Sequence, residues 1–547
     1  MKRFYAIMAA LSLLVACGKE SGGTEDNGGT QGGGSESSEL YDKEGATVKG
    51  YVRCGEDGVA DVVVSDGVNV TATDSFGRYW LPSDVASTDF IMISIPSGYE
   101  VASDGTYSLL PMFYRTCDKS AKSVQRFDFE LTKVDNDNYT LLVFADMHLS
   151  GRDPSKESFS TSNEPLDYTQ YTQQLVPSAK AYAANISTPV YGINLGDMTH
   201  SQYWYSANAS FEQYLDASKD LGFQMFNVIG NHDHDHKRKD DYGAGERFRK
   251  WLGPTYYSFN LGRQHYIALD NMVCIDGDNH TNYAKLVDDV QMEWMKKDLA
   301  AMDPSVEDVV ILCHVAFASW KTSGATTNVL YNKMMSNFDE LASLLSKYNV
   351  RILSGHAHFS QTFRINERMI QHTHPSICGT WWYDLLCCDG SPAAYTAYRF
   401  VGNNCTRRAV PFGKYANRKY TLYDTGVTTR TGYCAVGETQ ADETTGYAPA
   451  ILINCWEWSP EWTFKVFENG VDMSSRGEMV WRCDLDHRRM SLEEGIVPYS
   501  RYSWLKTYRN LHMFQYAPSD PSAKITVTAT DEDGKPRFVI DNITLKK

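Results

Sequence analysis

The middle of the chain alternates between short apolar blocks and longer windows with helical character. Nearly all-apolar strands are typical of a sheet that is buried on both faces and covered by helices. The run from Tyr256 to Asp270 turns at Gly262 like a hairpin, so we expect a mixed sheet in an α/β domain. The predicted strands are Thr140 to Ala145, Val190 to Leu195, Phe223 to Ile229, Asp308 to Cys313 and Val350 to Ser354, and the predicted helices are Tyr168 to Asn185, Ala207 to Leu221, Val290 to Met302 and Asn337 to Tyr348.

Short alternating strands punctuated by glycine occupy the regions on both sides of this domain. From Thr47 to Lys133 they predict a small all-β sandwich. Beyond Pro411 the helical windows end, and an aromatic-rich alternation predicts a second β-domain. We therefore divide the folded chain into an N-terminal domain at 46–133, a central domain at 139–400 and a C-terminal domain at 411–547.

The first residues carry the features of a bacterial export signal. Lys2 and Arg3 precede an apolar run that is too short to span a membrane comfortably. The run ends in Leu14-Val15-Ala16-Cys17, which resembles the lipobox of bacterial lipoproteins, with an ordinary secretory signal as the alternative. We expect a signal peptide at 1–16, a lipid on Cys17 and a Gly/Ser-rich tether at 17–45. The protein would then be a lipid-anchored lipoprotein of the bacterial cell envelope, at the outer membrane or facing the periplasm.

Composition and charge narrow the choice of partners. The chain has 547 residues, of which 42% are hydrophobic, so it can form several packed cores. Its formal net charge of -16 argues against a nucleic acid as partner. A small phosphate ester remains possible because bound metal cations can reverse the local charge. Outside the cytosol disulfides are permitted, and Cys54 and Cys117 fall in one β-domain and could pair.

Histidine, aspartate and asparagine concentrate in five segments at the ends of predicted strands, where α/β sheets place their ligands. Carboxylate oxygens and imidazole nitrogens together suit hard and borderline divalent metals. In Asp-x-His and His-x-His, residues two apart point to the same side of an extended segment. A glycine before three of the segments allows close backbone approach. The segments are Asp146-Met147-His148, Gly196-Asp197-Met198, Gly230-Asn231-His232-Asp233, Cys313-His314 and Gly355-His356-Ala357-His358.

In this order and at these spacings, the five segments resemble the calcineurin-like metallophosphoesterase family over about residues 139–375. The flanking domains resemble those of a bacterial lipoprotein subgroup with dedicated N- and C-terminal domains, the first of them prealbumin-like. The resemblance implies an α/β fold in which a central metallophosphoesterase β-sandwich is flanked by helices, with small all-β domains at both ends. It also implies two divalent metal ions, which could be manganese, iron or zinc.

The family's residue roles transfer to this sequence position by position. His232 would lie beside the substrate phosphate without binding metal, and Asp233 would orient its ring. Attack by a metal-activated hydroxide would then cleave the ester. The implied ligands are Asp146, His148 and His358 for the first metal and Asn231, His314 and His356 for the second, with Asp197 bridging both.

These residues favour a dinuclear metal-dependent phosphoesterase acting on a small-molecule or envelope phosphate ester. Between the two ester types we favour a phosphodiester, with a phosphomonoester as the alternative. A surface glycan-binding lipoprotein with a vestigial metal site is the alternative from a different class of protein. Membrane contact would be through the lipid anchor at Cys17, and no nucleic acid is expected.

Further polar and aromatic residues are weaker candidates. His200, His372 and His374 are possible substrate-pocket residues. The loop at 234–236 could meet an anionic substrate, but we expect it to be solvated. The segment at 381–384 contains two tryptophans and a tyrosine, which could stack on a sugar or base or form a domain interface.

Overall fold

The structure is a computed structural model that describes residues 39–275, 282–322, 329–425, 450–492, 494–498 and 501–545. Its central domain is a β-sandwich of two mixed sheets, which confirms the predicted α/β fold class. The first sheet has the strand order Met225–Asn227, Val190–Asn194, Asn138–Phe144, Ala394–Val401 and Asn404–Pro411. The second has the order Tyr257–Leu261, Gln264–Ala268, Asp308–Leu312, Asn349–Ser354, Met369–Thr373 and Gln361–Asn366.

Alternate side chains along a strand point to opposite faces of the sheet, so neighbouring residues contact different layers. In the strand Asn138–Phe144, Leu141 and Val143 belong to a core cluster that also includes Ile311 of the second sheet. The intervening Leu142 and Phe144 pack in a second cluster with helix residues. Both faces of this strand are therefore buried, as its apolar sequence predicts. The helices are Asp167–Gln170, Val176–Ala184, Phe211–Ser218, Asp241–Ala244, Glu246–Leu252, Asp289–Ala301, Phe338–Leu344 and Leu485–Leu492, a π-helix spans Tyr171–Leu175, and short 3-10 turns lie at Pro154–Lys156, Ser201–Tyr203, Asn231–Asp233, Gly413–Tyr415, Ser474–Arg476 and Ser503–Leu505.

Parallel pairing brings the polar segments to one edge of the sandwich. In the first sheet, the strand Asn138–Phe144 pairs in parallel with Val190–Asn194, and that strand pairs in parallel with Met225–Asn227. The second sheet has parallel pairs between Gln264–Ala268, Asp308–Leu312 and Asn349–Ser354. Since parallel strands end on the same side of a sheet, the segments that follow them meet there.

Two β-domains flank the sandwich. The N-terminal one has a sheet of Asp57–Gly58, Val48–Cys54, Phe129–Lys133, Tyr99–Val101, Arg78–Leu81 and Gln125–Arg126, and a sheet of Val70–Ala72, Val63–Ser65, Phe90–Ile93 and Tyr114–Thr116. The C-terminal one has a sheet of Thr421–Asp424, Ile451–Asn454, Arg509–Tyr516 and Glu478–Cys483, and a sheet of Val471–Asp472, Thr463–Glu468, Ile525–Thr530 and Pro536–Ile543. Two small hairpins pair Met272–Cys274 with Tyr283–Lys285 and Ala318–Thr322 with Val329–Lys333.

Three observations on these outer parts bear on the sequence predictions. The helix Leu485–Leu492 was not predicted, because its polar residues form no apolar stripe. Cys54 and Cys117, which could have paired, are both free, whereas Cys483 is disulfide-bonded. Among the described residues, no helix is long and apolar enough to cross a membrane. The predicted signal, Cys17 and most of the tether lie outside the described residues.

Candidate metal centre and its cavity

Four of the predicted metal ligands bring their donor atoms together on one side of the centre. The Nε2 atoms of His148 and His358 are 2.9 Å apart. Asp146 Oδ1 lies 3.4 Å from His358 Nε2, and Asp197 Oδ2 lies 3.5 Å from His148 Nε2. Nitrogen and carboxylate oxygen atoms at this spacing form the donor set that borderline divalent metals prefer. This group therefore fits the first of the two predicted metal ions.

The remaining predicted ligands form a second group around the same Asp197 oxygen. His314 Nε2 is 3.1 Å from Asp197 Oδ2 and 3.1 Å from Asn231 Oδ1. His356 Nδ1 is 3.1 Å from Asn231 Oδ1 and 3.2 Å from His314 Nε2. Asp197 Oδ2 thus faces both groups, which is the position required of a bridging carboxylate. The second group fits the other metal ion.

Hydrogen bonds behind the histidine rings leave their inner nitrogen atoms free to bind metal. His314 Nδ1 is 2.7 Å from the carbonyl oxygen of Leu195, which can only accept, so Nδ1 carries the proton. Tyr283 Oη lies 3.0 Å from His356 Nε2 and can accept a hydrogen bond from it. Cys378 Sγ is 3.9 Å from His358 Nδ1. Such outer contacts fix the ring orientation of metal-binding histidines.

The backbone at the centre adopts a conformation that is costly for residues other than glycine. Five of the predicted ligands have left-handed φ angles of 46° to 68°. Single residues held there cost about 1–3 kcal/mol and persist where surrounding structure enforces them, often at functional sites. The strained residues are Asp146, His148, Asp197, His356 and His358.

Two glycines permit the close approach of the loops that carry these ligands. A Cβ atom on Gly230 would lie 2.2 Å from Asp197 Oδ1, and one on Gly196 would lie 2.6 Å from His314 Nδ1. Both distances are far below van der Waals contact. No other residue fits at either position without displacing a predicted ligand.

Charges within the centre act on its histidines in opposite directions. Burial, together with the charges of His358, His232 and other histidines, lowers the pKa of His148 well below its usual value. Burial also lowers the pKa of His314, but the nearby carboxylates of Asp197 and Asp146 outweigh it and raise the value to about 9. The centre thus combines neutral imidazole with concentrated negative charge, which a cation would neutralise.

A cavity of about 570 Å³ opens over the centre. His232 and His200 lie in its wall with ring centroids 4.2 Å apart, so His200 occupies the pocket position expected of it. Trp381 lies beside them, with its ring 4.9 Å from that of His200 and 4.3 Å from that of His148. The far wall comes from the C-terminal domain through Tyr502, Trp504, Leu505 and Tyr508.

Comparison with protein families places this centre in a known group. Three family profiles match the chain, described as N terminal of Calcineurin-like phosphoesterase at residues 46–134, Calcineurin-like phosphoesterase at 139–360 and C terminal of Calcineurin-like phosphoesterase at 371–536. The chain belongs to the calcineurin-like phosphoesterase family. Membership in this dinuclear metal-dependent family, together with the donor groups above, identifies a metal-dependent phosphoester hydrolase.

Solved structures with a similar arrangement have low sequence identity to this calcineurin-like phosphoesterase. A dimetal phosphatase from Danio rerio is 12% identical, with 50% of this chain and 98% of that one covered at a TM-score of 0.34. A purple acid phosphatase from yellow lupin (Lupinus luteus) seeds is 12% identical, with coverages of 64% and 72% and a TM-score of 0.33. A 5'-nucleotidase from Candida albicans is 11% identical, with coverages of 51% and 52% and a TM-score of 0.31. No curated protein matches the chain.

Asp233 has a different task in this calcineurin-like phosphoesterase from the one expected of it. Its carboxylate accepts hydrogen bonds from the backbone N–H groups of Gly230, Met198 and Thr199 and from the Thr199 hydroxyl. It therefore ties two ligand-bearing loops together, and the expectation that it orients the His232 ring is wrong. Burial, followed by the charge of Asp197, raises the pKa of Asp233 to about 7.

His372 and His374 do not line the cavity. The Nε2 of His372 faces the Arg351 guanidinium at 2.8 Å, and its Nδ1 faces the Thr362 hydroxyl. His374 is held between the Ser354 carbonyl and the Tyr398 hydroxyl. Both rings are buried because they belong to or directly follow a strand of the second sheet, so neither has the predicted role in the pocket over the centre; His372 instead lines a separate cavity of about 330 Å³.

Some residues that contact the predicted metal ligands or line the cavity were not predicted. Arg152 follows the first ligand segment by four positions and contacts the Trp381 carbonyl through Nη2 at 2.6 Å. Tyr283 and the aromatic residues of the C-terminal domain lie far away in sequence from the ligand segments. The tryptophan segment at 381–384 had two open interpretations, and the structure places Trp381 at the cavity.

Proposed function

We propose that this calcineurin-like phosphoesterase cleaves phosphodiesters in preference to phosphomonoesters. The observation that carries the proposal is the aromatic wall that the C-terminal domain contributes to the cavity, namely Tyr502, Trp504 and Tyr508. A diester has an organic substituent on each side of the phosphorus, and aromatic faces can pack against the second of these substituents. A monoester lacks the second organic substituent that would contact these aromatic residues.

The charges around the cavity support the same preference. Arg152 is the one lysine or arginine among the described residues that line it. Its guanidinium is already engaged, since Nη2 donates to the Trp381 carbonyl and Nε lies 3.4 Å from Glu157 Oε1. Near neutral pH a phosphomonoester is largely a dianion, whereas a diester carries a single negative charge. The cavity provides little cationic charge beyond the metal centre, which favours the monoanion.

The chain's own residues supply positioning and a proton. Two bound divalent cations would neutralise phosphate charge and lower the pKa of a coordinated water. The backbone N–H of His232 donates to Asp197 Oδ1 at 2.7 Å, which fixes this residue beside the bridging carboxylate. His232 Nδ1 is buried, so Nε2 is the atom we assign to protonating the leaving oxygen. Trp381 and the aromatic wall hold the organic substituents and exclude water.

A comparison of two aryl esters tests the proposal. With manganese present, we expect a higher kcat/KM for a bis-aryl phosphodiester than for the aryl monoester, and a chelator should abolish both activities. Trp504→Ala should raise the KM for the diester by about 2–10-fold, because one aromatic contact contributes about 0.5–1.5 kcal/mol. The monoester KM should change less, since it lacks the second substituent.

The matched control for this comparison is Trp80→Ala, which removes a tryptophan from the N-terminal domain and should leave both KM values unchanged. A monoester preference in the unmodified chain would reject the diester proposal and make the enzyme a phosphomonoesterase. Undetectable metal in the purified chain would favour the alternative of a glycan-binding protein with a vestigial centre, whereas bound metals without activity on either ester would mean that the pocket requires its own substrate.

We also propose that the protein is a lipid-anchored lipoprotein of the bacterial envelope. The support is the sequence Leu14-Val15-Ala16-Cys17 after a basic and apolar N-terminus. Expressed in a bacterium with a labelled fatty acid, the full chain should acquire the label and sediment with membranes, whereas Cys17→Ser should do neither. Labelling of the Cys17→Ser variant would contradict the anchor site.

A further inference from the structure

A separate cluster of potential metal ligands lies beyond the dinuclear centre. Donor atoms of His234, Asp241 and Cys274 all lie within 4.8 Å of one another. Asp270 adds a carboxylate whose Oδ2 is 3.7 Å from His234 Nε2. The four residues come from three segments, which are the loop after Asn231–Asp233, the first turn of the helix Asp241–Ala244 and the segment at 270–274. None of the four lines the cavity described above.

The ring of His234 is oriented as a metal-binding histidine would be. The sequence led us to expect a solvated loop here, but His234 is only 1% exposed. Its Nδ1 lies 2.9 Å from the carbonyl oxygen of Gly230, which can only accept, so Nδ1 carries the proton. Burial lowers the pKa of His234, but Asp270 and Cys274 outweigh it and raise the value, so a metal ion bound at Nε2 would take the place of a proton there. Nε2 is buried and makes no hydrogen bond with any described residue.

A buried polar atom without a partner calls for an explanation, because leaving it unsatisfied costs about 1–3 kcal/mol. Histidines that bind metal through one nitrogen usually donate the other N–H to a carbonyl or carboxylate. His234 shows this arrangement. A metal ion would accept the Nε2 lone pair, and the surrounding two carboxylates and thiol would supply its further ligands.

Among the described residues, His234 is the basic group that faces these two carboxylates. Asp241 Oδ1 accepts a hydrogen bond from the backbone of Cys274 at 2.7 Å, and Asp270 Oδ1 from the backbone of Met272 at 3.4 Å. Burial, followed by the charge of Asp270, raises the pKa of Asp241 to about 6. A divalent cation would stabilise the ionised form of Asp241 that burial and the charge of Asp270 disfavour.

We propose that His234, Asp241, Asp270 and Cys274 bind one zinc ion, independently of the activity proposed above. One nitrogen, one sulfur and two oxygen atoms form a tetrahedral set that zinc accepts. Around a tetrahedral zinc with bonds of about 2.0–2.3 Å, ligand atoms lie about 3.3–3.8 Å apart. A nitrogen and an oxygen ligand would lie at the lower end of this range, at about 3.3–3.5 Å, and the 3.7 Å between His234 Nε2 and Asp270 Oδ2 exceeds it by about 0.2 Å, which a small side-chain shift would close. Binding displaces the proton of the Cys274 thiol, which leaves to solvent as the zinc–sulfur bond forms.

Such an ion would hold in place two segments that contact or carry ligands of the dinuclear centre. His234 follows Asn231 and His232 on the same loop, so fixing it fixes their position. Cys274 pairs with Tyr283 across a small hairpin, and the Tyr283 hydroxyl lies 3.0 Å from His356. The zinc therefore joins segments that are distant in the chain, which constrains the unfolded state and stabilises the fold.

Metal counting and cobalt spectroscopy on the full chain test the proposal. The zinc-loaded protein should contain three metal equivalents, and its X-ray absorption should show a sulfur scatterer at about 2.3 Å. The cobalt-loaded protein should show thiolate-to-cobalt charge-transfer absorption. Cys274→Ser should remove this absorption and one metal equivalent while keeping the other two, and His234→Gln should also lose one equivalent.

Two cysteine variants serve as controls. Cys405→Ser changes a half-buried cysteine outside every metal-ligand cluster found among the described residues, and should keep three equivalents and the thiolate band. Cys378→Ser changes the thiol next to His358 and should also keep the band. Loss of the band in Cys378→Ser but not in Cys274→Ser would overturn the proposal. So would two equivalents with only nitrogen and oxygen scatterers in the unmodified chain, a result that does not depend on any variant folding.

Discussion

Replacing His232 by alanine is expected to lower the turnover of a phosphodiester by about 10²–10⁴-fold while leaving the metal content unchanged. The ring lies in the cavity wall, and we assign its Nε2 to protonating the leaving oxygen. An alkoxide leaving group depends strongly on that proton, so kcat should fall more than KM rises. The measurement combines steady-state kinetics with metal analysis of the same protein sample.

The competing role for His232 is that of a metal ligand. Nitrogen atoms of His148, His200 and His232 lie within 4.8 Å of one another, which a metal could also exploit. Parallel loss of metal and activity in His232→Ala would support that role and contradict proton donation. His236→Ala is the matched control, because His236 follows on the same loop, packs against Tyr205 and does not line the cavity. It should retain both metal and turnover.

The features of the centre that could be predicted from the sequence are local ones. Each ligand segment directly follows an apolar strand, so strand prediction also predicted where the ligands would meet. Gly196 and Gly230 predicted a close approach of the backbone, and the short distances from a Cβ atom at either position to neighbouring ligands confirm that no side chain fits there. The left-handed backbone at Asp146 and its counterparts could not be predicted, because nothing in a single residue's identity reveals strain imposed by its neighbours.

What the sequence could not predict depends on contacts between distant segments. Trp504 lies in the C-terminal domain more than a hundred residues beyond the last predicted ligand, and the hydrophobic pattern of the sequence does not show that it reaches the cavity. His372 and His200 are both histidines near the end of a strand, but His200 lines the cavity and His372 does not. Only the pairing of the His372 strand inside the second sheet shows that its ring is buried there. Residue type alone therefore predicts a donor's chemistry better than its location.

Asp197→Asn is expected to have the largest effect on metal binding. Asp197 Oδ2 faces both ligand groups, at 3.1 Å from His314 Nε2 and 3.5 Å from His148 Nε2, while Oδ1 accepts the backbone N–H of His232. An asparagine has only one oxygen for these two tasks and brings no negative charge. Loss of a hydrogen-bond partner behind a metal ligand typically lowers metal affinity about 10–100-fold. Because Asp197 is itself a predicted ligand of both metals, the decrease in affinity should be larger. Turnover at limiting metal should fall at least as far.

Asp298→Asn is the matched control, since Asp298 is a buried carboxylate of the same domain that contacts His265 and Ser258. Removing the charge of Asp298 should lower the free energy of unfolding, because the buried His265 ring then lacks its carboxylate partner. Both metals should remain bound. Metal titration of the two variants separates loss of a bridging ligand from general destabilisation. Full metal occupancy in Asp197→Asn would reject the bridging assignment, and equal metal loss in both variants would mean that fold stability alone governs metal retention.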